Sequence, residues 1–139
     1  MLLDRVSEFL SQAHHGVLTT FRRDGAAQMS LVSCGLYRDG VGFTTTNDRA
    51  KLLNLRRNPR CSLLVSQEDW WGYVVLEGQA TILSAQSTTP EELRQVLREV
   101  YRTVSGSEHP HWEEYDRAMQ LQRRSAILVV PERVYGTKT

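Results

Sequence analysis

Val17-Leu-Thr-Thr-Phe-Arg-Arg-Asp-Gly-Ala26 and Leu36-Tyr-Arg-Asp-Gly-Val-Gly-Phe-Thr-Thr-Thr46 decide how this chain folds, because each sets Arg-Asp-Gly between β-rich apolar runs. Asp-Gly readily takes the positive φ angles of a tight hairpin turn, whose twist matches that of the strands it joins. The turns at 23–25 and 38–40 predict three antiparallel strands, 17–22, 26–37 and 41–46, arranged as a meander. A helix over about 49–58 should follow, carrying Leu52, Leu53 and Leu55 and ending before Pro59. Strands over 60–66 and 73–83 come next, joined by an acidic loop that holds Trp70-Trp71-Gly72.

Outward from this centre the pattern becomes helical. Leu2, Leu3, Val6, Phe9, Leu10 and Ala13 recur at helical spacing, so an amphipathic helix should open the chain and stop at Gly16. Thr89-Pro90-Glu91-Glu92 reads as a capping box with proline at the first helical position. Leu93, Val96, Leu97, Val100, Tyr101 and Val104 form the apolar stripe of that helix, which Ser105-Gly106-Ser107 breaks. A more polar helix over 111–122 and a final strand, 125–130 with 133–135, complete the chain. Six strands with few covering helices predict a mainly β fold, a small antiparallel barrel with flanking helices in a single domain over 1–139.

Composition narrows the function. The formal net charge of +1 gives no field to attract nucleic acid or a membrane surface, so anion binding must come from local clusters. The basic residues also lack the aromatic interleaving of a stacking platform, which argues against nucleic acid as a partner. No apolar run approaches 18 residues, and Met1-Leu-Leu-Asp-Arg lacks a signal-peptide layout. Cys34 and Cys61 lie in apolar strand segments and are expected to be buried free thiols, which fits a cytoplasmic location. His14-His15 and His109-Pro110-His111 lack a third ligand at a recognised spacing, so no metal site is expected. There is no nucleophile elbow, Walker loop or dinucleotide fingerprint.

The chemistry sits at Thr44-Thr45-Thr46-Asn47-Asp48-Arg49-Ala50-Lys51. Arg49 and Lys51 fall in a helical first turn, where the macrodipole is positive and acidic residues are the usual choice. Two readings are open: a solvated basic helix end, or a phosphate held by the helix N-terminus, the threonine hydroxyls and both cations. Arg56, Arg57 and Arg60 near the helix C-terminus carry a similar pair of readings, favourable dipole partners or a second anion patch.

Taken together, Arg49-Ala-Lys-Leu-Leu-Asn-Leu-Arg-Arg-Asn-Pro-Arg-Cys-Ser-Leu-Leu-Val65, Trp71-Gly-Tyr-Val-Val-Leu-Glu-Gly-Gln-Ala80, Val100-Tyr-Arg102, His111-Trp-Glu-Glu-Tyr-Asp-Arg-Ala-Met119 and Val134-Tyr-Gly136 resemble segments of one family. It is that of the split-barrel flavin and deazaflavin oxidoreductases related to pyridoxamine-phosphate oxidase, and in particular its F420-dependent subgroup. The resemblance runs from about residue 16 to 136. It implies a homodimer of six-stranded antiparallel split β-barrels of the FMN-binding type, with the cofactor in a groove between the two chains.

On that resemblance Arg49 and Lys51 hold the cofactor's phosphate, and Thr44 and Thr45 reach the phosphate or ribityl chain. Ser30 and Val32 lie along the ring system, and Trp71 and Tyr73 of the other chain close the groove. The implied cofactor is coenzyme F420, with FMN as the alternative, and Arg56, Arg57 and Arg60 would meet the acidic tail of F420. The implied activity is hydride transfer to an electron-poor conjugated small molecule. The other class left open is a non-catalytic protein that holds a flavin, deazaflavin or tetrapyrrole. Leu31 and Cys34-Gly35 depart from the more polar or bulkier residues of the family. No catalytic residue is identified, although Tyr73 is conceivable as a proton donor.

Overall fold

Both Asp-Gly turns form in the computed structural model, which describes residues 2–139. Strand β1 (His15–Phe21) runs antiparallel to β2 (Ala27–Ser33), with Phe21 opposite Ala27 across a turn in which Gly25 has φ +85°. Asp24 Oδ1 accepts the Ala26 N–H at 3.0 Å and closes that turn. Strand β3 (Gly35–Tyr37) pairs with β4 (Gly40–Thr46), and here the left-handed residue is Arg38, at φ 52°. Gly40 is needed for a different reason: a Cβ there would stand 2.1 Å from the Val129 carbonyl oxygen.

The expected meander is not what these hairpins build. The single strand read over 26–37 is divided at Cys34, and its halves lie at opposite edges of one antiparallel sheet. With β5 (Arg60–Ser66), β6 (Tyr73–Leu83) and β7 (Arg124–Gly136), the order is β2-β1-β5-β6-β7-β4-β3. Only Cys34 separates β2 from β3, so the two edges must meet there and the sheet must curl on itself. The Cys34 N–H donates to the His14 carbonyl at 2.9 Å, and the Cys34 carbonyl lies 2.8 Å from His14 Nδ1. Seven strands therefore replace the six expected, because the bend interrupts the ladder.

The opening helix is also shorter than its periodicity predicts. Leu2–Arg5 form a 3₁₀ turn and Ser7–Leu10 a single α turn, α1, with Val6 between them at φ −125°, ψ 2°. Leu3, Val6, Leu10 and Ala13 are all buried, so the spacing reported burial rather than a continuous helix. Helices α2 (Ala50–Arg57), α3 (Pro90–Ser105) and α4 (Trp112–Leu121) lie within a residue or two of expectation. The Thr89 hydroxyl accepts the Glu92 N–H at 3.2 Å, and Gly106 ends α3 at φ 74°.

Two apolar clusters hold these layers together. Leu18, Phe43, Leu63, Leu76 and Ile127 are fully buried in the curl of the sheet. Val96, Leu97 and Val100 of α3 and Tyr115 of α4 pack on Ala126 and Leu128 of β7. Each large side chain so buried stabilises the fold by about 1.5–3 kcal/mol. The outer face carries a third apolar row, Leu31, Val17, Leu64, Val75 and Tyr135, in register across β2, β1, β5, β6 and β7. Its two ends are open, Leu31 being 77% and Tyr135 46% exposed. No helix among the described residues is long and apolar enough to cross a membrane.

Candidate functional site

Strand β4 delivers Thr44, Thr45 and Thr46 to the point where α2 begins. Arg49 is the N-cap of α2, with the extended backbone of a cap (φ −72°, ψ 143°) but no capping side-chain bond, and Lys51 follows in the first turn. Here they line one wall of a cleft of about 590 Å³. The β2 edge contributes Leu31, Val32 and Ser33, and Tyr101 of α3 with Tyr115 and Met119 of α4 form the far side.

Arg124, a third cation, was not foreseen. Register places it opposite Thr46 at the start of β7, and its Nη1 donates to the Thr44 hydroxyl at 3.3 Å. Its Nε donates to Gln122 Oε1 at 2.8 Å. The one local sign in the sequence was a cation immediately ahead of a strongly apolar strand, Ser125–Val130. The separation of 80 positions between Thr44 and Arg124 hides the rest.

Among the described residues, no aspartate or glutamate lines the cleft. Arg49, Lys51 and Arg124 form no ion pair with the described residues. The Lys51 ammonium is held below the ordinary lysine range, first by burial and then by repulsion from Arg49 and Arg124. Asp48 lies beside the cleft rather than in its lining. Its exposed carboxylate accepts the Thr46 O–H at 2.7 Å, which with the nearby Arg49 keeps it below the usual range. Thr45 is 3% exposed, so Thr44, which accepts from Arg124 and keeps its own proton, is the more available hydroxyl.

The two phenols of the cleft have different freedom. Tyr115 donates its proton to the Leu97 carbonyl at 2.7 Å, and burial pushes its pKa up to about 12. Tyr101 packs edge-on among His109, Trp112 and Tyr115, with ring centroids 5.0, 5.7 and 5.2 Å away. It is half-buried against the second core cluster and also faces the cleft, where sequence periodicity placed it on a wholly buried stripe.

The sequence-predicted residues divide into two groups. Val32, Thr44, Thr45, Arg49 and Lys51 come together in the cleft. Ser30 does not line it, although Val32, two residues along β2 on the same face, does. Trp71 is 84% exposed, and Tyr73 starts β6, its N–H bound to the Thr137 hydroxyl at 3.1 Å; both lie outside the cleft of their own chain. Of the cations at the other end of α2, Arg57 is engaged with the Phe21 carbonyl and Asn54 Oδ1, tying the helix to β1, while Arg56 and Arg60 are exposed.

The family model described as pyridoxamine 5'-phosphate oxidase matches residues 2–138. A conserved hypothetical protein from Mycobacterium tuberculosis has a similar structure, with a TM-score of 0.75 and 24% identity over 98% of this chain and 84% of that one. An F420 reductase aligns with a TM-score of 0.66 and 23% identity, covering 93% of this chain and 94% of its own. The heme storage protein from Vibrio cholerae aligns at 0.68 and 16%, covering 97% and 94%. At these identities the structural likeness establishes a shared fold.

Proposed function

The chain belongs to the pyridoxamine 5'-phosphate oxidase family, and on that premise we propose that it is an oxidoreductase whose cleft holds coenzyme F420 by its phosphate. The observation that carries this reading is the convergence of Arg49, Lys51 and Arg124 on one cleft without a lining carboxylate. Three like charges at the positive end of a helix raise the energy of the apo-protein, and an anionic phosphate would relieve it. The donor set suits such a group: two guanidiniums that can fork onto paired oxygens, an ammonium, and the Thr44 hydroxyl.

When bound, a reduced deazaflavin supplies a two-electron hydride to an electron-poor conjugated molecule. The protein's part is then to bind and orient. Arg49, Lys51 and Arg124 fix the phosphate end, while Val32 and Leu31 offer an apolar edge for the ring system. Tyr115 is a poor proton donor because its O–H is committed to Leu97. Within one chain Tyr101 is the phenol in the cleft left free to give up a proton, and Tyr73 could reach the cleft only from a second copy.

A homodimer belongs to the same proposal. The outer row from Leu31 to Tyr135 and the exposed Trp71 supply an apolar face suited to a second copy. In that arrangement Trp71 and Tyr73 of one chain would close the cleft of the other.

FMN carries a phosphate and a tricyclic ring too, so the three cations accommodate it equally well. F420 is favoured by the likeness to an F420 reductase and by Arg56 and Arg60, which have no ion-pair partner among the described residues and could meet an acidic tail. Titrating the purified protein with F420 and FMN, followed by fluorescence, tests the reading. F420 is expected to have the lower dissociation constant, with the margin shrinking as salt is added. Replacing Arg49, Lys51 or Arg124 with alanine should cost about ten- to a hundredfold in affinity, and the losses should not add because all act on one phosphate. Absence of binding by either cofactor would refute it.

A further inference from the structure

A second cleft, of about 350 Å³, lies behind the first, between α3, α4 and the loop from β4 to α2. Leu93, Leu97 and Met119 give it an apolar floor. Of its charged residues, Arg94 is paired with Glu91 at 2.5 Å, and Asp116 holds Arg98 through two bonds of 3.0 and 2.5 Å. Arg123 and Arg124 have no ion-pair partner among the described residues. The cleft thus offers an apolar body and uncompensated positive charge where α4 meets β7. An occupant that satisfies both has an apolar frame and a single anionic head.

Arg124 and Met119 line both clefts. Asn47 lines the second, and it is tied to the start of β7: its Oδ1 accepts from the Ser125 hydroxyl at 2.6 Å, and its N–H donates to the Arg123 carbonyl at 3.1 Å. Two residues after Asn47 comes Arg49. A ligand in the second cleft therefore touches the loop and the guanidinium that shape the first.

We propose that this second cleft binds a small monocarboxylate with an apolar body, and that its occupancy weakens anion binding in the first cleft by drawing Arg124 away from Thr44. The binding half stands on the second cleft alone. The coupling half rests on the phosphate reading of the first, and linkage makes it reciprocal.

The test uses 4-phenylbutyrate as probe and 4-phenylbutanol as its uncharged counterpart. Calorimetry on the apo-protein is expected to show binding of the acid at submillimolar concentration, about tenfold or more tighter than the alcohol. The Met119 methyl resonance, assigned through Met119→Leu, should shift with it. Leu93→Trp fills the floor and should abolish binding. Arg123→Asn, which suits the left-handed backbone at φ 52°, should weaken the acid but not the alcohol. With the acid bound, the dissociation constant for FMN should rise about fivefold or more, and Leu93→Trp should lose this response while binding FMN normally. No binding at millimolar concentration, or equal binding by both variants, overturns the site. Unchanged or tighter FMN binding overturns the coupling. If neither FMN nor F420 binds at all, the proposed function fails, while calorimetry on the wild type against Leu93→Trp, which alters only the second cleft, still decides the site.

Discussion

Replacing Arg49 with aspartate is expected to stabilise the apo-protein and destroy its hold on phosphate. Arg49 already has the extended backbone of an N-cap, yet its side chain makes no cap bond. An aspartate there can accept the N–H of the second helical residue, Lys51, since that of the third, Leu52, already donates to the residue 49 carbonyl at 3.1 Å; the gain is about 1 kcal/mol. Placing a negative charge at the positive helix end adds about 0.3–1 kcal/mol, and the swap also removes one source of repulsion on Lys51. The sum is about 1–2 kcal/mol, or roughly 3–8 °C in melting temperature for a chain of this length. Affinity moves the other way. Losing a charge-assisted bond costs about 1.5–3 kcal/mol, and the new carboxylate faces the phosphate directly, so F420 or FMN should bind at least about a hundredfold more weakly. Melting curves by circular dichroism on the apo-protein, with fluorescence titrations alongside, measure both. A variant that melts below wild type, or that binds cofactor as well as wild type, would refute the argument that Arg49 serves binding against stability.

Asn54→Ala should cost about 2–3 kcal/mol in denaturant unfolding, because Asn54 Nδ2 bridges the Thr20 hydroxyl at 3.0 Å and Gln28 Oε1 at 2.9 Å, and Thr20 is 1% exposed; a loss below about 0.5 kcal/mol would mean that water replaces the bridge. Burial pushes Cys34 up to about 12 and Cys61 up to about 11, so above the ordinary thiol value of 9.0 the unfolded chain releases protons that the native state keeps. Stability is accordingly full below about pH 9 and falls between there and about pH 12, and Cys34→Ala should flatten that slope in pH-dependent unfolding curves; an identical slope would discount the thiols. Leu64→Glu, in the middle of the outer apolar row, should reduce a wild-type particle of twice the 15.9 kDa chain mass to single chains in light scattering, whereas a wild-type monomer at micromolar concentration would remove the case for a second copy.

Much of the fold was legible because its signals are local. Asp-Gly between apolar runs, Thr-Pro-Glu-Glu ahead of a periodic stripe and Pro59 after a helix act within a few residues of themselves, and both hairpins and three of the helices formed where they pointed. The opening segment misled because spacing alone does not separate one helix from two short turns packed on the same core. The bend at Cys34 had one local mark, Gly35, since glycine inside a strand pattern often signals a bend or a close backbone approach, and a Cβ there would stand 2.9 Å from the Thr103 backbone.

The candidate site divides along the same line. The cluster of Thr44, Thr45, Arg49 and Lys51 could be read from the sequence because eight consecutive residues carry it. Arg124 could not, because only the pairing of β4 with β7 sets it beside Thr44. Ser30 was placed along the ring system on the strength of the resemblance, and only the fold shows that the cleft wall begins one residue beyond it, at Leu31. The sequence by itself determined the elements, their turns and the charge at the start of α2, which depend on short-range sterics and hydrogen bonding. Which strand edges meet, and therefore which distant cation completes the cleft, was decided only by the tertiary structure, where the curled sheet leaves Cys34 fully buried and brings residues 80 apart in sequence into contact.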